Sequence, residues 1–107
     1  MKDTTHILID DDKLIHLAWS MAAQKAGIKL ECFFAISSFL KNEEDYSRDC
    51  IIYIDSDLGD GLKGEVLSEK LFQLGFKRLY LATGYKSQDF TKPSWILDVL
   101  GKRPVFG

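Results

Sequence analysis

Short aliphatic runs alternate with longer amphipathic stretches along this chain. Ile7-Leu8-Ile9 is the first run, and Asp10-Asp11-Asp12 ends it. Aspartate disfavours strands and caps helices, so a strand should stop here and a helix begin, with Asp12 as its N-cap. Leu14, Ile15, Leu17, Ala18, Met21, Ala22 and Ala26 recur at helical spacing up to Gly27, which predicts the first helix. Leu30 to Ala35 reads as a second strand, and Ile36, Phe39 and Leu40 as a short helix before the polar stretch Lys41 to Asp49. Cys50-Ile51-Ile52-Tyr53-Ile54 is apolar at nearly every position, as a central parallel strand buried on both faces requires, and Asp55 ends it.

The glycine-bearing loop Leu58-Gly59-Asp60-Gly61 permits tight turns. Val66, Leu67, Leu71 and Leu74 then predict a helix closed by Gly75, and Leu79 to Ala82 a fourth strand stopping at Thr83-Gly84. Lys86 to Phe90 has room for one or two helical turns, and Pro93 excludes a long helix. Trp95 to Leu100 is a strand or a short helix, ended by Gly101-Lys102-Arg103-Pro104. This alternation predicts an α/β fold: an open parallel sheet of five strands with helices on both faces, in the flavodoxin-like order 2-1-3-4-5.

Composition narrows the picture. The 107 residues suit one domain, residues 1–107, and 46% hydrophobic content is enough for one packed core. A formal net charge of −2 with no basic stripe disfavours direct nucleic-acid binding. No apolar run approaches a membrane span, and Met1 to Thr5 lacks the apolar stretch of a signal peptide, so a cytoplasmic protein is expected. Cys32 and Cys50 lack metal or redox spacing and read as small reduced hydrophobes.

In open α/β sheets, ligands bind beyond the carboxyl ends of the strands. The predicted strands deliver Asp10, Asp11, Asp55, Thr83 and Lys102 there. Three carboxylates converging on one rim repel one another. Mg²⁺, a hard cation that prefers oxygen ligands, relieves that repulsion. A carboxylate attacks phosphorus poorly unless cations neutralise the charge that develops, which a metal ion and a lysine ammonium can do.

Ile-Leu-Ile-Asp-Asp-Asp at 7–12, Tyr-Ile-Asp-Ser-Asp-Leu at 53–58, Leu-Ala-Thr-Gly at 81–84 and Gly-Lys-Arg-Pro at 101–104 together resemble the receiver domains of two-component signalling, over nearly the whole chain. The resemblance implies Asp55 as phosphoacceptor and metal ligand, and Asp10 and Asp11 as the acidic pair holding Mg²⁺. It also implies that the Asp57 backbone carbonyl completes the metal shell, that Thr83 is the switch hydroxyl, and that Lys102 grips the phosphoryl group. The donor would be a sensor histidine kinase or a histidine phosphotransfer protein. Such a domain phosphorylates and dephosphorylates itself without turning over a separate substrate.

The chain departs from the family pattern in several places. Val99 stands where an aromatic switch residue is usual, and the loop after Asp55 lacks the usual proline. The segment between Thr83 and Lys102 is short, which implies a reduced fourth helix, and no fifth helix is expected after Lys102. The sheet face beside the first helix should then lie partly open, inviting a homodimer or another partner. Lys92, before Pro93, is a rival to Lys102, although an apolar run leads only into Lys102. His6 and His16 read as surface residues, and Trp19 and Trp95 as packing residues. Tyr85 is an available switch aromatic. Two alternatives stay open: a receiver-like interaction module that is not phosphorylated, and a haloacid-dehalogenase-like phosphatase. The latter is suggested by the Asp-x-Asp spacings at Asp10/Asp12 and Asp55/Asp57, but such enzymes need a longer chain.

Overall fold

The alternation of apolar runs and amphipathic stretches becomes strands and helices in the order β1 (Thr5–Ile9), α1 (Lys13–Ala26), β2 (Lys29–Phe33), α2 (Ile36–Leu40), β3 (Ile51–Ile54), α3 (Gly64–Gln73), β4 (Arg78–Ala82) and β5 (Asp98–Leu100). A single 3₁₀ turn, Glu43–Asp45, sits between α2 and β3. The computed structural model describes residues 4–56, 63–84 and 92–106. All five strands pair in parallel, in the order β2-β1-β3-β4-β5. The predicted strand order is therefore the observed one.

Period-two alternation divides the core between the two faces of the sheet. Ile7, Ile9, Ile52, Ile54, Leu79 and Leu81 point to one face, where Ile36 and Phe39 of α2 and Leu71 of α3 cover them. Leu8, Tyr53 and Ala82 point to the other, against Trp19 of α1. Truncating a fully buried aromatic such as Trp19 or Phe39 costs about 3–5 kcal/mol in a core of this kind.

Helix α1 begins and ends as its sequence dictates. The Asp12 side chain accepts a hydrogen bond from the Leu14 amide at 2.8 Å, and Gly27 closes the helix in the left-handed region at φ 71°. The apolar residues that predict this helix do not all face the core. Leu14, Leu17 and Met21 are exposed, whereas His16, Trp19 and Ala23 are buried, flanked by Ile15 and Ala22. Both stripes have helical period. The buried one carries the two side chains whose polar atoms meet backbone carbonyls at the sheet edge, so packing favours it over the aliphatic stripe.

Residues 92–97 and 101–106 contain no helix. The expected helical turns at Lys86 to Phe90, the Leu58 to Gly61 loop, Asp57 and Tyr85 lie outside the described residues. After β5 the chain turns back over the sheet. Phe106 packs edge-on against His6 and Trp19, with ring centroids 5.2 and 5.5 Å apart. The face beside α1 is therefore less open than the sequence implied, because Phe106 helps to cover it. Among the described residues no helix is long and apolar enough to cross a membrane.

Candidate functional site

The carboxyl ends of β1, β3, β4 and β5 open onto one rim. Asp10 leaves β1 with its amide bonded to the Phe33 carbonyl at 3.0 Å, and Asp55 leaves β3 with its amide bonded to the Ile9 carbonyl at 2.9 Å. These ladder bonds carry the parallel register one residue past each strand. They hold both aspartate backbones at the sheet edge, where the side chains are buried. Asp11 is exposed beside them. Ligand oxygens of Asp10, Asp11 and Asp55 lie within 4.8 Å of one another, a spacing that can hold a metal ion. The donor set is all oxygen, the chemistry preferred by Mg²⁺, and the exposure of Asp11 leaves room for water ligands.

Lys102 enters the same group. Its ammonium donates to Asp10 Oδ2 at 2.6 Å and pairs with Asp55 Oδ1 at 2.7 Å. Burial pulls the lysine's proton affinity down, but hydrogen bonds and charge from Asp10 and Asp55 outweigh it and hold the pKa above the ordinary 10.5. The rival, Lys92, lies elsewhere in the bonding pattern: its ammonium donates to the Ile96 carbonyl at 2.8 Å. The two lysines thus stand in different surroundings, Lys102 beside the carboxylates and Lys92 on the Ile96 carbonyl.

Thr83 leaves β4 with its amide on the Leu100 carbonyl at 2.9 Å. Its buried hydroxyl lies 2.5 Å from that of Ser56. Val99 lies in β5 opposite Leu81 and packs into the core on the α2–α3 side.

Four residues make contacts at this rim that their sequence does not announce. Ser56 is buried and partners Thr83; a serine directly after a strand-ending aspartate reads as a turn former. Gly64 opens α3 under the Asp55 carbonyl, where an added Cβ would overlap that oxygen and come within 2.9 Å of Ile54 Cγ2. Only glycine fits there. His16, expected at the surface, is buried, with Nε2 2.6 Å from the Asp10 carbonyl. A carbonyl only accepts, so Nε2 carries the proton. Trp19 is a packing residue as expected, but its indole N–H also donates to the Lys102 carbonyl at 2.9 Å. The available signal was the spacing of His16 and Trp19, three residues apart on one stripe with Ile15, Ala22 and Ala23.

No family model matches the chain, and no curated protein matches it. Solved structures do resemble it. The response regulator StyR, known at low resolution, aligns with a TM-score of 0.74 and 20% identity over 94% of this chain. The alignment covers 52% of that protein, so this chain spans about half its length. A fusion carrying the yeast Spc42 trimeric coiled coil aligns with a TM-score of 0.76 and 17% identity, over 95% of this chain and 69% of that one. At such identities the likeness is one of fold. The chain has a flavodoxin-like, receiver-type α/β fold, with an acidic cluster and a lysine at the carboxyl edge of its sheet.

Proposed function

We propose that residues 1–107 form a phosphoacceptor receiver domain of two-component signalling, in which Asp55 takes a phosphoryl group from a histidine kinase or a histidine phosphotransfer protein. The observation that carries this reading is the Lys102 ammonium bridging Asp10 and Asp55 at 2.6 and 2.7 Å, with Asp11 in the same carboxylate group. A structural ion pair needs one carboxylate. A group of three carboxylates with one ammonium has negative charge left over, which suits a site built for a second cation.

In this reading Asp10, Asp11 and Asp55 hold Mg²⁺, with the Asp57 carbonyl as a further ligand. The bound ion would supply charge neutralisation on the phosphoryl oxygens. An Asp55 carboxylate oxygen attacks phosphorus in line with the leaving group. The new O–P bond forms as the donor's P–N bond breaks, and the departing imidazole takes up a proton. Lys102 then turns its ammonium from the carboxylates to a phosphoryl oxygen, and the Thr83 hydroxyl donates to another. Val99 offers no aromatic ring to follow Thr83, so the response is expected to travel by another route. We place the protein in the cytoplasm with its kinase, and propose that a second copy associates through the face beside α1, which sedimentation over a range of concentrations would test.

Intact mass after incubation with acetyl phosphate tests the phosphoacceptor reading. One phosphoryl group should be added with Mg²⁺ and none without it, and Asp55→Asn should abolish the addition. Unchanged labelling in Asp55→Asn would refute it. Sustained turnover of an aryl phosphate would instead favour a phosphatase.

A further inference from the structure

Helix α1 buries two side chains with polar ring nitrogens, three residues apart, and each ends on the backbone of a residue at the rim. His16 Nε2 meets the Asp10 carbonyl at 2.6 Å. Trp19 Nε1 meets the Lys102 carbonyl at 2.9 Å, across 83 positions of sequence. Three residues span about 4.5 Å along a helix, so one rigid element touches the end of β1 and the segment after β5 at a fixed separation.

Lys102 needs such support. It follows a strand of three residues that pairs with β4 and lies at the edge of the sheet. Residues 101–106 form no helix or strand. A lysine side chain is long and loses much rotamer freedom when held, so the reach of its ammonium depends on where its backbone is kept. The Trp19 indole is fully buried and is itself packed, with Tyr53 at 5.0 Å and Phe106 at 5.5 Å between ring centroids. Phe106 lies four residues past Lys102, so the same indole holds the segment at two points. His16 is set in turn by stacking on Phe34, with centroids 4.0 Å apart. The Asp12 cap fixes where α1 starts, and hence which residues face the sheet.

We infer that α1 is a brace for the site: His16 and Trp19 are positioning residues that set the distance between the Asp10 and Lys102 backbones, so that one ammonium spans Asp10 and Asp55. The consequence for phosphoryl transfer rests on the receiver reading; the brace itself does not. Packing alone would need the indole ring but not its N–H, and that difference can be measured.

Two variants of the full chain separate the ring from its N–H: Trp19→Phe, and replacement of the Trp19 indole by the isosteric benzothiophene, which keeps the packing and loses the donor. Limiting acetic anhydride followed by peptide mass spectrometry reads the reactivity of Lys102, with exposed Lys41 and Lys63 as internal references. Losing one net hydrogen bond corresponds to about a two- to tenfold change in such an equilibrium. Lys102 acylation should rise by that factor in both variants, without change at Lys41 and Lys63. Beryllofluoride affinity in the presence of Mg²⁺ should fall by a similar factor. Unchanged Lys102 reactivity in the folded benzothiophene variant would overturn the brace, whatever beryllofluoride does. Raised reactivity in a protein whose wild type binds no beryllofluoride would support the brace and overturn the phosphoacceptor reading.

Discussion

Replacing Lys102 with Met keeps the length and apolar stem of the side chain and removes the ammonium. Asp10, fully buried, and Asp55, 8% exposed at the side chain, would then face each other with no cation between them. Removing one partner of a buried ion pair costs about 3–5 kcal/mol. Lys102 keeps 29% of its side-chain surface in water, so solvent already screens part of the interaction and the expected loss falls to about 2–3 kcal/mol. At about 4–8 °C per kcal/mol for a domain near this size, Tm should drop by about 10–20 °C in metal-free buffer. Mg²⁺ should reverse much of the drop, since a hundredfold excess over Kd contributes about 2.7 kcal/mol. Wild type should gain less from Mg²⁺, because there the ion competes with Lys102 for the same oxygens. Thermal melts followed by circular dichroism, with chelator and with Mg²⁺, measure both effects. A variant that melts within about 2 °C of wild type without metal, or that gains no more from Mg²⁺ than wild type does, would refute this reasoning.

Gly64→Ala should destabilise the fold by about 1–3 kcal/mol and weaken Mg²⁺ binding, because the new methyl would displace the Asp55 backbone; urea melts and calorimetry check the two effects. Lys92→Ala should leave Mg²⁺ and beryllofluoride binding unchanged, since its ammonium is spent on the Ile96 carbonyl. Burial, and then the Arg78 charge, hold the His6 imidazole below its ordinary 6.5. The unfolded chain therefore takes up a proton at higher pH than the folded one. This contribution to stability is complete above about 6.5 and is lost as the pH falls through the folded value. His6→Gln should flatten that part of the stability profile, and an unchanged slope in urea melts across the acid range would count against it.

The strands were legible because their signal is dense. Cys50 to Ile54 is apolar throughout, and β1, β3 and β4 are each followed directly by a polar residue that stops them. The acidic rim followed from those stops, since a parallel sheet aligns the carboxyl ends of its strands. The phase of α1 was not legible, because Leu14-Leu17-Met21 and Ile15-Trp19-Ala22 have the same period. Hydrophobicity alone favours the first stripe. The second is buried because His16 and Trp19 satisfy carbonyls that only the folded rim brings near. Ser56 and Gly64 were missed for a related reason. Each matters through one close approach, to Thr83 and to the Asp55 carbonyl, between residues that are not neighbours in sequence.

In the proposed function Asp55 carries the phosphoryl group. Borohydride reduces an acyl phosphate and leaves homoserine in place of the aspartate, so it marks the acceptor residue itself. After incubation with acetyl phosphate and Mg²⁺, then borohydride and peptide sequencing by mass spectrometry, homoserine is expected at position 55, with intact aspartate at Asp10 and Asp11. Homoserine at Asp10 or Asp11, or a phosphoryl group that is added yet leaves Asp55 unreduced, would contradict it.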